Sequence, residues 1–239
     1  HVSKALLRDA GVATAPFELL RASSGRTFQA CSEALGANRL VVKPSQQGSS
    51  VGVSCVHSES EWQAALTLAL SYDDVVLVEP FIDGREIECS VLGDEELAVS
   101  VPGEIVKTQE WYDFASKYGQ DSPVKVVTPA ALTPEEVKCI QQVAREAYRA
   151  LCCRGMARVD VFLQADGSVW VNELNTLPGF TEISMYPKNW QVSGMDLAAL
   201  VTRLLALAES RYRQRQALQQ QQVAFTSVAL KNTQHEISS

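Results

Sequence analysis

Histidine is scarce in this chain of 239 residues: only His1, His57 and His235 occur, each in a terminal or surface-like context. That distribution offers no histidine-centred acid–base chemistry. Ser49 and Ser50 also lack a base that would make either an acyl nucleophile. None of the six cysteines (Cys31, Cys55, Cys89, Cys139, Cys152 and Cys153) has CxxC metal spacing. Cys89 falls in a predicted strand and Cys139 and Cys152 in or near a predicted helix, so reduced packing residues are expected rather than a disulfide framework. No apolar run reaches the roughly 18 residues needed to span a bilayer, and the start has no secretory pattern. A cytoplasmic location away from membranes is the expectation. The net charge of -7 argues against nonspecific nucleic-acid binding. It leaves room for local basic pockets that take phosphates.

What is present reads as an ordinary globular chain, 46% hydrophobic and 21% charged, long enough for one large or two small domains. His1, rather than Met, runs straight into the helical pattern Val2, Leu6, Leu7, Ala10, so a piece whose upstream portion is missing is expected. The helix of residues 2–10 should stop at Gly11. Strands are predicted at 16–20, 40–44, 75–79 and 86–91, and a short helix at 27–35. Ser58-x-x-Glu61 is a capping-box pattern for a helix reaching about Leu70. Thr133-Pro134-Glu135-Glu136 combines an N-cap, a proline at the first helical position and a capping glutamate. Its helix carries Val137, Ile140, Val143, Ala144, Ala147, Tyr148 and Leu151 at helical spacing. Periodicity fails over 111–123, which reads as a long loop. A last amphipathic helix is expected at 195–213, with a polar tail over 214–239 that starts as a Gln-rich helix end (214–222) and then becomes loosely ordered. Strands and helices mix without a regular βαβ period or internal repeat. The fold class is therefore α+β in two lobes.

The strongest local signal is Asp166-Gly167 between alternating apolar runs, a hairpin pattern. If those two residues form the turn, Ala165 faces Ser168, Asp160 faces Glu173 and Arg158 faces Asn175. All four of those polar side chains then project from one side of the strands. Directly opposed carboxylates repel, and a divalent cation would relieve them: Asp160, Glu173 and the Asn175 amide oxygen suit Mg²⁺. The competing reading makes both acids partners of Arg158, or of another cation, in a structural ion-pair network.

Other segments leave two readings open. Gly48-Ser49-Ser50-Val51-Gly52 has the small residues of a phosphate-cradling loop but no Walker A ending, and equally fits a flexible hairpin. Lys43, at the end of an apolar strand just before it, favours an anionic partner. Val78-Glu79-Pro80-Phe81-Ile82 followed by Glu86 reads as a plain connector or as a strand end that holds adenine and ribose. Lys117 and Tyr118 are either solvated loop residues or functional ones.

Taken in order, KPSQQGSSVGVS, VLVEPFIDGREIE, WYDFASKY, RGMARVDVFL and VNELNTLPGFTEISMYP resemble the D-alanine–D-alanine ligase family of the ATP-grasp superfamily, over about residues 2–213. The resemblance implies an ATP-grasp fold in which two α+β lobes clamp ATP: a central lobe (1–82) and a C-terminal catalytic lobe (83–213). The family's N-terminal α/β domain, with a glutamate for the first D-alanine, would be absent, as would an Asp-Lys pair just before His1. By resemblance, Lys43 contacts ATP phosphates; Glu79, Ile82 and Glu86 hold adenine and ribose; and Lys117 reaches the γ-phosphate. Pro80 replaces a lysine the family usually has. Asp160, Glu173 and Asn175 match ligands for two Mg²⁺ ions, with Mn²⁺ as a substitute. Arg158, Gly179, Ser184 and Met185 match the surroundings of the second D-alanine, and Ser49 would bond Tyr118 to close the loop. The implied activity is ATP-dependent joining of two D-alanines through an acyl phosphate, for peptidoglycan synthesis. Tyr118 favours an amine acceptor over D-lactate. The family homodimer rests largely on the absent domain, so a monomer or an exposed sticky surface is expected here.

Overall fold

Two antiparallel sheets organise the residues described by this computed structural model, 1–107 and 124–237. In the first, β1 (Glu18–Leu20), β2 (Leu40–Pro44), β3 (Ser54–Val56) and β4 (Val76–Pro80) lie in the order β1-β4-β2-β3. Helices α2 (Phe28–Leu35) and α3 (Glu59–Leu70) cover one face. There Leu40, Val42, Val76 and Val78 pack against Cys31 and Trp62. Because side chains alternate along a strand, Lys43 of β2 and Glu79 of β4 project from the face opposite α2 and α3.

The second sheet runs β10-β9-β5-β7-β8, with β6 paired to β5. Its strands are β5 (Arg85–Gly93), β6 (Leu97–Val99), β7 (Gly103–Lys107), β8 (Val124–Val127), β9 (Gly155–Leu163) and β10 (Val169–Asn175). One face, carrying Ile87, Cys89, Val91, Val159 and Val161, packs on α4 (Pro134–Ala150) through Ile140, Ala144, Ala147 and Tyr148. Against the other face lie α5 (Met185–Val192) and α6 (Leu197–Ile237), where Leu92 meets Tyr186, Trp190 and Leu200. Thr133 opens α4 as its sequence demands: Thr133 Oγ1 accepts from Glu136 N at 3.2 Å, and Glu136 Oε2 accepts from Thr133 N at 2.7 Å.

Several expectations need correction. Ser58 makes no side-chain cap; Glu61 Oε2 instead accepts from the His57 N–H at 2.7 Å. The segment after residue 213 continues as helix to Ile237 rather than loosening into a tail. Strands β6, β7 and β8 and helix α5 carried no local signal strong enough to predict. Helix α1 (Val2–Asp9) does not belong wholly to the first lobe, because Leu7 and Val12 are buried in the second sheet's core. Its polar side reaches back to the first sheet, so α1 straddles the two.

The hairpin also differs from the predicted register, in a way that positions the site. A three-residue loop replaces the two-residue turn. Gln164 N donates to Ser168 O (2.9 Å), Gly167 N donates to Gln164 O (3.0 Å), and Gly167 takes φ 83°. Leu163 therefore pairs with Val169 and Val161 with Val171. A bulge between Val171 and Glu173 then shifts the ladder by one residue, so that Asp160 pairs with Glu173 and Arg158 with Asn175. A regular strand would place Val169, Val171, Glu173 and Asn175 on one face. The extra residue, Asn172, turns the last two away from the core while Leu174 still packs into it. The expected polar pairs are present, but through two compensating departures from the regular hairpin.

Leu7 is 1% exposed in the second core. Leu7→Ala should therefore destabilise the protein by about 2–5 kcal/mol in urea denaturation. A change near zero would contradict the packing of α1 there.

Candidate active site

Three carboxylates lie side by side across the centre of the second sheet. Glu88 of β5 pairs with Asp160 of β9, and Asp160 pairs with Glu173 of β10. All three stand on the face opposite α4. Like charges in adjacent register destabilise a sheet, and the structure offsets this with Arg158. Its Nε and Nη2 donate to Asp160 Oδ1 and Oδ2 at 2.7 and 2.6 Å. The same Nε lies 3.1 Å from Glu88 Oε2. Burial disfavours the guanidinium's charge, but the bonds to Asp160 and the charges of Glu88 and Glu173 outweigh it and push its pKa above the ordinary value.

Of the two readings of Asp160 and Glu173, the ion-pair one is present in part: Arg158 bonds Asp160 directly, while Glu173 acts on the guanidinium through its charge. Among the described residues there is no cluster of three or more His, Cys, Asp or Glu arranged to hold a metal. The donor chemistry still fits a hard divalent cation: two carboxylates in register with an amide oxygen two residues along at Asn175. A cation on Asp160 would compete with Arg158 for the carboxylate's charge, although each oxygen keeps a second lone pair beside its bond to the guanidinium. Glu88 is the second carboxylate that would keep the guanidinium in place. Sequence reasoning missed Glu88. Its alternation with Glu86 was readable, but its register against β9 is a long-range fact that no local pattern encodes.

A second charged cluster lies on the face of the first sheet opposite α2 and α3, where Lys4 of α1 approaches it. Glu79 Oε2 is 2.7 Å from Lys43 Nζ, and Glu79 Oε1 is 2.9 Å from Lys4 Nζ. Burial raises the Glu79 pKa, but Lys43 and then Lys4 outweigh it and hold the carboxyl below its usual range. For Lys4, burial dominates and lowers the pKa despite the attraction of Glu79. Sequence reasoning also missed Lys4. The available signal was its position three residues before Leu7, on the helix face that is buried.

The remaining predicted residues are distributed as follows. Ser49 is exposed in the turn after β2, and Ser49 and Ser50 take consecutive left-handed conformations at φ 55° and 64°. Such a conformation costs a non-glycine residue about 1–3 kcal/mol, which a plain flexible hairpin would not need. Ile82 and Glu86 are half-buried on either side of the β4–β5 connection. Gly179 lies against the start of α5, where a Cβ would come within 2.8 Å of Ser184 Oγ. Ser184 Oγ accepts from Thr181 N at 3.1 Å. Met185 is buried at 3% exposure, and a Cβ on Gly103 would collide with its Sδ. Its side chain packs against the sheet at Gly103, the partner of Glu88. Lys117 and Tyr118, with the Ser49–Tyr118 contact, lie outside the described residues.

Because two ammonium groups hold Glu79 ionised, its stabilising contribution is full above its unfolded value of 4.5 and is lost as pH falls through the lower folded value. Wild-type stability should drop in that acid window. Glu79→Gln should flatten the drop while lowering stability at neutral pH, as read by thermal melts from pH 3 to 7. An unchanged acid limb would contradict the cluster.

Known proteins share both sequence and shape with this chain. The family model described as D-ala D-ala ligase C-terminus matches residues 6–206. D-alanine–D-alanine ligase A of Chromobacterium violaceum is 51% identical over 91% of this chain and 60% of its own length. The ligase A of Escherichia coli K12 is 50% identical over the same shares. Among solved structures, the D-alanine-D-alanine ligase from Coxiella burnetii superposes with a TM-score of 0.79 at 36% identity, over 92% of this chain and 59% of that one. VanG D-Ala:D-Ser ligase from Enterococcus faecalis gives 0.77 at 34% identity, over 86% and 60%. The chain spans about 60% of the length of the curated relatives it matches. With two lobes of the ATP-grasp kind and a family match over most of its length, the chain belongs to the D-alanine–D-alanine ligase C-terminus family.

Proposed function

We propose that the chain is the nucleotide-binding and catalytic part of an ATP-dependent ligase that joins two D-alanines into D-alanyl-D-alanine for peptidoglycan synthesis in the cytoplasm. The observation that carries this reading is the register of Asp160 against Glu173, with Asn175 two residues along, on one face of a sheet in a chain half identical to named ligases. Asp160, Glu173 and Asn175 would hold Mg²⁺, two ions by family expectation, with Mn²⁺ able to replace it. The ion supplies charge neutralisation and orientation to the phosphates.

The chain's own residues account for the rest. Lys43 offers a cation to the phosphates beside the strained Ser49-Ser50 turn. Glu79, Ile82 and Glu86 line the strand connection where adenine and ribose would sit. A carboxylate oxygen of the first D-alanine attacks the γ-phosphorus, and ADP leaves. The amine of the second attacks the resulting acyl phosphate, loses a proton, and expels phosphate. Arg158, half released from Asp160 and kept by Glu88, would face the tetrahedral oxyanion together with the Gly179 N–H. Ser184 would border the second D-alanine; Met185 would shape that border only through packing. Lys117 and Tyr118 would exclude water from the acyl phosphate, with Ser49 as the anchor for Tyr118.

Two other readings have specific support. The chain spans about 60% of its relatives' length, which favours nucleotide binding without turnover when this chain is assayed by itself. Likeness to a D-Ala:D-Ser ligase favours a family-type ligase with a different acceptor. Phosphate release that rises with D-alanine but not L-alanine would support dipeptide ligation. Mg·ATP binding with no D-alanine-dependent turnover would support the binding-only reading, and faster release with D-serine the other acceptor. Glu173→Gln should weaken Mg·ATP binding by about tenfold or more, roughly 1.4 kcal/mol. Unchanged affinity would contradict the metal assignment.

A further inference from the structure

Lys4 has no role in the mechanism above, yet it is the most deeply buried cation described near the candidate nucleotide site. Its side chain is 6% exposed, against 7% for Glu79 and 19% for Lys43. Burying an ammonium is costly unless it is paired and hydrogen-bonded. Lys4 meets both conditions. Nζ lies 2.9 Å from Glu79 Oε1 and donates to Thr14 Oγ1 at 2.8 Å. Thr14 Oγ1 in turn donates to Val171 O at 2.9 Å, at the residue where the β10 bulge begins. A chain of polar contacts therefore runs from Glu79 in the first sheet to the strand that carries Glu173.

The charges in this cluster do not cancel. One carboxylate faces two ammonium groups, and each ammonium has its own carboxylate oxygen. If Lys4 were neutral, Lys43 and Glu79 would form a closed one-to-one pair, and Lys43 would have to give up that pair to meet an anion. With Lys4 sealed behind Glu79, the carboxylate is already compensated from the buried side. The surplus positive charge then sits on Lys43, the most exposed of the three, five residues before the Gly48–Gly52 loop.

We infer that Lys4 is a positioning residue whose buried charge satisfies Glu79, leaving the charge of Lys43 available to the phosphates of a nucleotide. This rests on the nucleotide reading of the site and deepens it. Lys4 itself touches no substrate; it acts through Glu79 and Lys43. The Thr14–Val171 bond adds a second consequence: the same side chain keeps β4 at a fixed distance from β10, so the adenine and metal ends of the site are tied together.

The test separates electrostatics from packing. Affinities of ATP and of adenosine are measured by calorimetry for wild type, Lys4→Met, Glu79→Gln and the double variant. Methionine fills the volume of the lysine stem without its charge, and Lys4→Arg is made alongside in case it unfolds the protein. Lys4→Met should lower the ratio of ATP to adenosine affinity by about tenfold, the scale expected of one nearby charge. Adding Glu79→Gln to Lys4→Met should recover most of that ratio relative to Glu79→Gln alone, because Lys43 is then unpaired again. Lys4→Arg should keep the ratio within a few-fold of wild type. A purely structural Lys4 would weaken both ligands equally and leave the ratio unchanged, which would overturn the inference. Wild-type protein that fails to bind ATP at all would overturn the nucleotide reading, and this inference with it.

Discussion

The site depends on one arginine being shared among acids. Glu88, Asp160 and Glu173 are brought into a row by backbone pairing, and like charges in that register cost the sheet stability that is offset by a cation in their midst. Arg158, one register level along, supplies it with two bonds to Asp160 and a looser contact with Glu88. The geometry is unequal in a useful way. Asp160 is gripped by both its oxygens, while Glu88 holds the guanidinium from the side. An incoming cation that competes for Asp160 would leave Arg158 tethered but turned outward, where an anion formed during acyl transfer would meet it.

The same logic of surplus and compensated charge recurs in the first sheet. There the acid is single and the cations double, so the cluster is set to attract an anion; in the second sheet the acids are in excess, so that cluster is set to attract a cation. A metal-bound polyphosphate would satisfy both. Helix α1 links the two clusters. Leu7 and Val12 anchor it in the second core, and Lys4 and Thr14 connect Glu79 to β10.

Much of this was legible in the residues, for identifiable reasons. Thr133 and Glu136 announce a helix because capping chemistry is local. Asp160 and Glu173 could be paired across a turn because a hairpin is nearly local too. The details failed where a second residue competed: Glu61 satisfies His57 instead of sharing a box with Ser58, and the loop takes three residues instead of two. Alternation alone would have put Glu173 beside Val171 in the core, and the bulge at Asn172 is the residue-level correction. Glu88 and Lys4 were invisible because their importance lies in strands far away in sequence. Helix α1 straddles both lobes rather than lying in the first alone, and its apolar face does not say which core it enters.

Arg158 and a divalent cation would act as alternative counter-ions for Asp160. A crystal structure of the protein with Mg²⁺ and a non-hydrolysable ATP analogue tests it most directly. The ion should contact Asp160 and Glu173, the bidentate Arg158–Asp160 pair should be broken, and Arg158 should remain within bonding distance of Glu88. Nucleotide bound with Arg158 still clasping both oxygens of Asp160, and no ion near Glu173, would contradict it.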